Sequence, residues 1–121
     1  MSRERVLEIH GERVVESTEF LAATLDELML VVERGRDAFL ADVLLQRAVE
    51  GIANRIGDTI RNRFPDTFLA EHPSIDWPAW VSWRTFLAHI YHRIDPDELW
   101  NDITRDVPPF RDYLLNEILG A

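Results

Sequence analysis

The chain has 121 residues, no cysteine and a formal net charge of −9 at pH 7. This length favours a single domain, residues 1–121, around one core. Without cysteine there is no disulfide, thiolate zinc site or thiol nucleophile, so histidine and carboxylate groups must carry any chemistry. The longest apolar run, Leu28–Val32, is too short to cross a bilayer, and the N-terminus is charged from Arg3 onward. We therefore expect a soluble, cytoplasmic protein.

Charge is spread unevenly along the sequence. Residues 1–42 carry five Arg and ten acids, residues 43–93 six Arg and five acids, and residues 94–121 two Arg and seven acids, which gives −5, +1 and −5. An acidic chain is a poor partner for nucleic acid, because affinity for a polyanion comes largely from neutralising phosphates. The slightly basic middle weakens that objection, although solvated charge is often uneven without a functional reason.

Apolar residues recur with helical spacing near the N-terminus. They repeat every seven residues at Leu7, Val14, Leu21 and Leu28. This spacing predicts one helix from about Arg3 to Glu33, with Gly35 marking its end.

A second helix is predicted before Pro65, which should stop it. Asp37 or Asp42 could cap its first turn. Gly51 and Gly57 lie inside it, where each glycine costs about 1 kcal/mol relative to alanine. We therefore expect both glycines to allow close approach of another backbone.

The remaining helices begin at proline-containing turns. Trp77-Pro78 predicts the start of a third helix and Asp95-Pro96 that of a fourth, since proline is favoured in a first helical turn. Pro108-Pro109 should kink or split the last segment. No segment shows sustained period-two alternation. The sequence thus predicts an all-α fold, an antiparallel bundle of four to five helices.

The third helix carries the groups best suited to phosphate chemistry. Arg84 and His89 have four residues between them, and Tyr91 follows, which gives the pattern R-x4-H-x-Y. Arginine offers a permanently charged fork that matches phosphate oxygens, and histidine can move protons near neutral pH. Together they suit metal-independent cleavage of a phosphodiester.

Helical geometry separates the two groups. In an ideal helix Arg84 and His89 lie about 140° apart around the axis, so one helix cannot easily direct both at a common atom. Convergence is easier if the helix unwinds near His89, or if two copies of the chain meet about a two-fold axis. We prefer the homodimer, which would also bring together two histidines, one to accept a proton and one to donate it.

These residues resemble the HepT family of toxins within the HEPN group of helical ribonucleases. The resemblance rests on the R-x4-H-x-Y motif, with Ile94-Asp95, Leu99-Trp100 and Val107-Pro108 after it. Upstream, the segment from Ala48 to Asp58 is similar to the family helix that ends in a Gly-acidic pair, and Phe64-Pro65 follows. The match covers roughly residues 43–115.

The resemblance implies a homodimeric endoribonuclease without cofactor or metal, paired with a minimal nucleotidyltransferase antitoxin. Arg84 would hold the scissile phosphate, and His89 would act as general base or acid for attack by the ribose 2′-hydroxyl. Tyr91 matches the tyrosine that the antitoxin can modify with AMP, and His92 and Arg93 would support the site. Thr85 departs from the family, which usually has an amide or acid directly after the arginine.

A different class of function stays open. Thr85 and the net charge favour a catalytically weak or inactive helical dimer that only binds a nucleotidyltransferase. A metal-carboxylate bundle enzyme is disfavoured, because the chain has neither an H-E-x-x-H pattern nor a Glu-x-x-His pair.

Other candidate residues have structural explanations. Three tryptophans of the third helix could stack on bases, but this spacing more often fills a core or a dimer interface. They are Trp77, Trp80 and Trp83. His10 and His72 are expected to lack partners.

Overall fold

A computed structural model describes residues 2–89 and 95–120, apart from the side chains of residues 84–89. Every regular element of the described residues is a helix and none is a strand, which confirms the all-α class. The helices are α1 (Arg3–His10), α2 (Glu12–Glu33), α3 (Arg36–Ala41), α4 (Val43–Arg63), α5 (Asp66–Ala70), α6 (Trp77–His89), α7 (Pro96–Arg105) and α8 (Val107–Tyr113), followed by a π-helical turn, Leu114–Ile118.

The predicted helix over residues 3–33 is wrong as a single element. Gly11 separates α1 from α2 with φ of 88°, a left-handed conformation that favours glycine. The seven-residue repeat continues across this break, although its members belong to two helices. Val14, Leu21 and Leu28 are buried in α2, whereas Leu7 in α1 is 38% exposed. Periodicity alone therefore joined two helices.

The boundaries of α4 follow the predicted signals. Asp42 is the residue that caps it, since its Oδ1 accepts the backbone N–H groups of Leu44 and Leu45 at 2.9 and 3.3 Å. The other candidate, Asp37, lies within the short α3. The helix ends before Pro65, as expected, but the next residues form α5, which the sequence did not predict.

Gly51 does not allow a close backbone approach. It is exposed, and a Cβ added there would meet nothing within 4 Å. Gly57 is buried in the same helix. The expectation thus fails for Gly51, whose position lies on the outer side of α4.

The core joins the long helices. α6 packs mainly against α4, α4 against α2, and α7 and α8 return to α2. Asp95 caps α7, and Pro108-Pro109 lie in the first turn of α8, so the last segment is split as predicted. Fully buried side chains come from α2, α4, α7 and the π-helical turn, and they include Leu21, Leu25, Ile56, Ile60, Ile103 and Leu114.

No helix within the described part of the chain is long and apolar enough to span a bilayer.

Candidate functional site

Helix α6 carries the first three residues of the predicted site. Asp76 starts it, because its Oδ1 accepts the backbone N–H of Ala79 at 3.2 Å. The backbone then stays helical through Arg84, Thr85 and His89. The predicted roles of Tyr91, His92 and Arg93 fall outside the described residues.

The regular helix keeps Arg84 and His89 apart. Over five residues they differ by about 7.5 Å along the axis and about 140° around it. Positions seven apart share nearly one side of a helix, so Arg84 follows Trp77, which is 5% exposed, whereas His89 follows Ser82, which is exposed. The two motif positions therefore lie on different sides of α6.

Packing against α4 brings the upstream Gly-acidic pair to the level of the motif. The rings of Phe64 and Trp77 have centroids 5.9 Å apart, which fixes the start of α6 beside the end of α4. Because the end of α4 meets the start of α6 and the two helices pack against each other, they run antiparallel, and both rise equally per residue. Counting from that contact, Arg84 lies level with Gly57, and His89 lies level with Ile52. The two segments that carry the family resemblance are thus adjacent in space.

A groove of about 770 Å³ opens beside the first turns of α6. Its wall is largely aromatic on one side and charged on the other. The residues that define it are Trp80, Trp83, Asp102, Arg105, Asp106 and Phe110. A volume of this size falls within the range of small-ligand sites, about 300 to 1,000 Å³. We call this feature the α6 groove.

Charges in the α6 groove are partly paired with one another. Arg105 donates from Nε and Nη2 to the Asp106 carboxylate at 2.9 and 3.0 Å, and from Nη2 to Asp102 at 3.3 Å. Burial raises the pKa of Asp102, the nearby Asp106 carboxylate raises it further, and Arg105 opposes both. With Asp76 also on the lining, three carboxylates face one guanidinium. The groove is therefore net acidic.

Trp83 contributes a polar group that is not satisfied. Its indole Nε1 is buried and has no hydrogen-bond partner among the described residues. The N–H lies close enough to Asp102 to lower the pKa of that carboxyl slightly, without the geometry of a hydrogen bond. Buried N–H groups in proteins are nearly always bonded, so this one needs an explanation.

A second cluster, which we call the aromatic junction, supports the start of α6. It consists of Phe64, Phe68, His72, Trp77 and Tyr113. The Trp77 indole donates to the carbonyl of His72 at 3.1 Å, and His72 Nδ1 contacts the Tyr113 hydroxyl at 2.9 Å. The ring of Phe68 lies 5.0 Å from those of Phe64 and His72. The junction ties α4, α5, α6 and α8 together at one point.

The expectation that His10 and His72 lack partners is wrong. His10 Nε2 lies 2.9 Å from Oε2 of Glu71, and His72 is 3% exposed within the aromatic junction. Burial lowers the pKa of His72, and the neighbouring Glu71 partly opposes this. The partners are 61 and 41 residues distant in sequence, so no local pattern could have identified them.

The three tryptophans divide between these two clusters. Trp77 fills the core, as the sequence favoured. Trp80 and Trp83 are half-buried on the α6 groove, and the Trp80 ring stacks on Phe110 with centroids 4.5 Å apart.

The positive charge in the middle of the chain, residues 43–93, is partly neutralised by ion pairs, since Arg55 pairs with Glu27, and Arg47 with Glu50. No cluster of three or more metal-binding side chains occurs among the described residues.

The family model described as Ribonuclease HepT-like matches residues 21–116. No curated protein and no solved structure matches the chain. The family match runs from α2 to the π-helical turn and includes Arg84 and His89. It therefore extends beyond the region on which the sequence resemblance rested and covers most of the chain. The protein belongs to the HepT-like ribonuclease family.

Proposed function

We propose that this protein is a metal-independent endoribonuclease toxin that cleaves RNA by attack of a ribose 2′-hydroxyl. The observation that carries the proposal is the position of Arg84 and His89 on one helix, within a chain that matches the HepT-like ribonuclease family. The requirement for a 2′-hydroxyl limits the substrate to RNA.

In this reaction His89 removes the proton from the 2′-hydroxyl. The 2′-oxygen then forms a bond to phosphorus, the bond from phosphorus to the 5′-oxygen breaks, and the departing oxygen takes a proton. The products are a 2′,3′-cyclic phosphate and a 5′-hydroxyl. Arg84 binds the phosphate oxygens and stabilises the extra negative charge of the transition state.

The site requires two copies of the chain. Because α6 is regular through His89, Arg84 and His89 of one copy stay about 140° apart. A two-fold axis near the motif lets Arg84 of one copy and His89 of the other face one cleft, and it supplies a second histidine as general acid.

Mixing two inactive variants tests the shared site. We expect Arg84→Ala and His89→Ala to be inactive when each is alone. If Arg84 of one copy acts with His89 of the other, each mixed dimer has one such pair and lacks the second histidine. An equal mixture should then recover activity, to at most about a quarter of the wild-type value, because half of the dimers are mixed and each has one of its two pairs. No recovery, with exchange of subunits shown by native mass spectrometry, would contradict the shared site.

The chemistry is tested with a fluorescently labelled RNA in excess EDTA. We expect cleavage to persist, to stop when the 2′-hydroxyl at the cut is replaced by hydrogen, and to fall by about 10²-fold or more in His89→Ala. Arg84→Gln should also abolish cleavage. Arg3→Gln, its matched charge control, should keep full activity, since Arg3 on α1 is exposed and paired with Glu19 on α2. Loss of cleavage on chelation, or full activity of His89→Ala, would refute the mechanism.

Tyr91 is the proposed point of control. An AMP group transferred to it by a nucleotidyltransferase antitoxin adds anionic bulk where the substrate phosphate should bind. Thr85, His92 and Arg93 would support the site through hydrogen bonds and charge. Co-expression with a nucleotidyltransferase should add the mass of one AMP per chain, and Tyr91→Phe should abolish that gain and stay toxic.

A second candidate is a non-catalytic helical dimer that binds a nucleotidyltransferase. The net charge of −9 favours it, because an acidic surface repels RNA. It predicts a stable complex with the nucleotidyltransferase, no growth arrest in any host and no RNA cleavage.

A further inference from the structure

We propose that the α6 groove is a base-binding subsite that selects guanine in the RNA substrate. The inference rests on the proposed ribonuclease function and adds a substrate preference to it. Three observations carry it: the aromatic wall, the facing carboxylate and guanidinium, and the position of the groove along α6.

The aromatic wall suits a flat heterocycle. Trp80 and Trp83 are half-buried and meet edge to face, with centroids 5.6 Å apart and ring planes at 89°. Phe110 stacks on Trp80 at 25° and holds that indole in place. Single-stranded RNA is bound through bases stacked on aromatic side chains. A preformed wall of this kind does not need to be built when the base arrives.

The polar side of the groove matches the edges of guanine. Guanine carries two adjacent donors, N1–H and the N2 amine, which fit a carboxylate such as Asp102. It also carries two acceptors, O6 and N7, which fit a guanidinium such as Arg105. Asp102 and Arg105 lie on one helical face, with Arg105 Nη2 3.3 Å from Asp102 Oδ1. Adenine presents no such pair of donors to the carboxylate.

The charge of the groove excludes the phosphate backbone from it. Three carboxylates against one guanidinium repel an anion, whereas a neutral base with donors facing outward is attracted. The groove therefore fits a base rather than a phosphate.

The groove lies close enough to the His89 position to bind a nucleotide near the proposed site of cleavage. Ser82 lies on its lining, and the His89 position follows seven residues later on nearly the same side of α6. That separation is about 10 Å along the helix, or about three steps of a stacked strand at about 3.4 Å each. A base held by Trp80 and Trp83 thus leaves its strand running along α6 towards the proposed general base.

Binding is measured separately from cleavage with 2′-O-methyl trinucleotides, which lack the attacking hydroxyl. The central base is guanine, adenine or hypoxanthine, and tryptophan fluorescence of the full-length protein reports binding. We expect guanine to bind about tenfold more tightly than adenine, with hypoxanthine between them because it lacks the N2 amine. Equal affinity for the three would overturn the proposal.

Asp102→Asn should reduce the preference for guanine over adenine to less than about threefold, because the amide offers only one acceptor atom. Asp112→Asn removes the same charge from an exposed carboxylate on α8 and should keep the full preference. Arg105→Gln is a second variant at an exposed position, and it should weaken guanine and hypoxanthine equally and adenine less, because adenine shares N7 but lacks O6. A guanine preference that survives Asp102→Asn would refute the assignment.

Mapping cut sites on a mixed RNA separates this inference from the proposed function. Wild type should cut at a fixed offset from guanines, and Asp102→Asn should cut with that selectivity lost. Cleavage that ignores guanine in the wild type would overturn the subsite and leave the ribonuclease proposal intact. No cleavage at all, with guanine-selective binding of the trinucleotides, would overturn the ribonuclease proposal and leave the base-binding groove standing.

Discussion

The aromatic junction and the α6 groove use similar residues in opposite ways. In the junction, the Trp77 indole is 5% exposed and its N–H is bonded to the His72 carbonyl. In the groove, the Trp83 indole is half-buried and its N–H has no partner among the described residues. Each cluster leaves one buried nitrogen without a partner among the described residues, Nε2 of His72 and Nε1 of Trp83, so the clusters differ in their indoles. The Trp77 indole is buried and bonded, whereas the Trp83 indole is half-buried and lines the α6 groove. Two indoles on one helix are therefore packed differently, and the proposed base-binding role belongs to the one that lines the groove.

The largest expected effect comes from the same substitution made in both clusters. Trp77→Phe leaves a cavity and removes the bond to His72, so it should lower the free energy of unfolding by about 2 kcal/mol. Trp83→Phe removes an unsatisfied donor from a half-exposed side chain and should cost less than about 1 kcal/mol. Urea unfolding followed by circular dichroism measures both. Equal losses would show that the two clusters do not differ in the way described.

A smaller effect is expected at Tyr113, whose hydroxyl contacts His72 Nδ1 in the junction. Tyr113→Phe leaves His72 without a partner on either ring nitrogen, because Nε2 is already unsatisfied. The expected loss of stability is about 1 to 2 kcal/mol. Thr18→Val is the control: Thr18 is buried and its hydroxyl donates to the Val14 carbonyl, which keeps its helical hydrogen bond. A cost for Thr18→Val as large as that for Tyr113→Phe would remove the special role of the hydroxyl.

The stability that the aromatic junction contributes should also depend on pH. Burial lowers the pKa of His72 in the folded protein, so between that value and the ordinary value of about 6.5 the unfolded chain binds more protons. Stability is therefore full above about pH 6.5 and falls as the pH decreases towards the folded value. His72→Asn, which does not titrate, should flatten the dependence of the urea midpoint on pH between about 7.5 and 5.5. An unchanged slope would mean that other groups dominate it.

Some helix boundaries could be predicted from the sequence and others could not, for physical reasons. Helix starts at Asp42, Trp77-Pro78 and Asp95 could be predicted because capping is local, within three residues of each boundary. The break at Gly11 could not, since it depends on a backbone conformation that the apolar repeat does not encode.

The candidate site divides in the same way. The motif of Arg84 and His89 could be predicted from the sequence because both residues lie within one helical segment. The α6 groove could not, because it joins α6 to residues of α7 and α8 that approach only after the chain folds. The partners of His72 belong to the same class of long-range contact. The sequence thus predicts motifs whose residues are close along the chain. It does not predict the grooves and contacts that form between distant segments on folding.

The smallest expected effect is a gain of stability, whereas the other substitutions are expected to reduce stability. Burial and Asp106 raise the pKa of Asp102 in the folded protein, so folding favours its protonated form. The resulting cost is absent below the ordinary acid value of about 3.9, grows as the pH rises through the folded value, and is fully present above it. Asp102→Asn should therefore raise the urea midpoint slightly at pH 7 and not at pH 3.

Asp112→Asn should change the midpoint at neither pH, since that carboxylate is 63% exposed. A loss of stability in Asp102→Asn at pH 7 would show that its pairing with Arg105 outweighs the burial of its charge. A gain, together with lost selection of guanine, is what a residue kept for binding rather than for stability should give, because sites that hold ligands are often maintained at some expense to the fold.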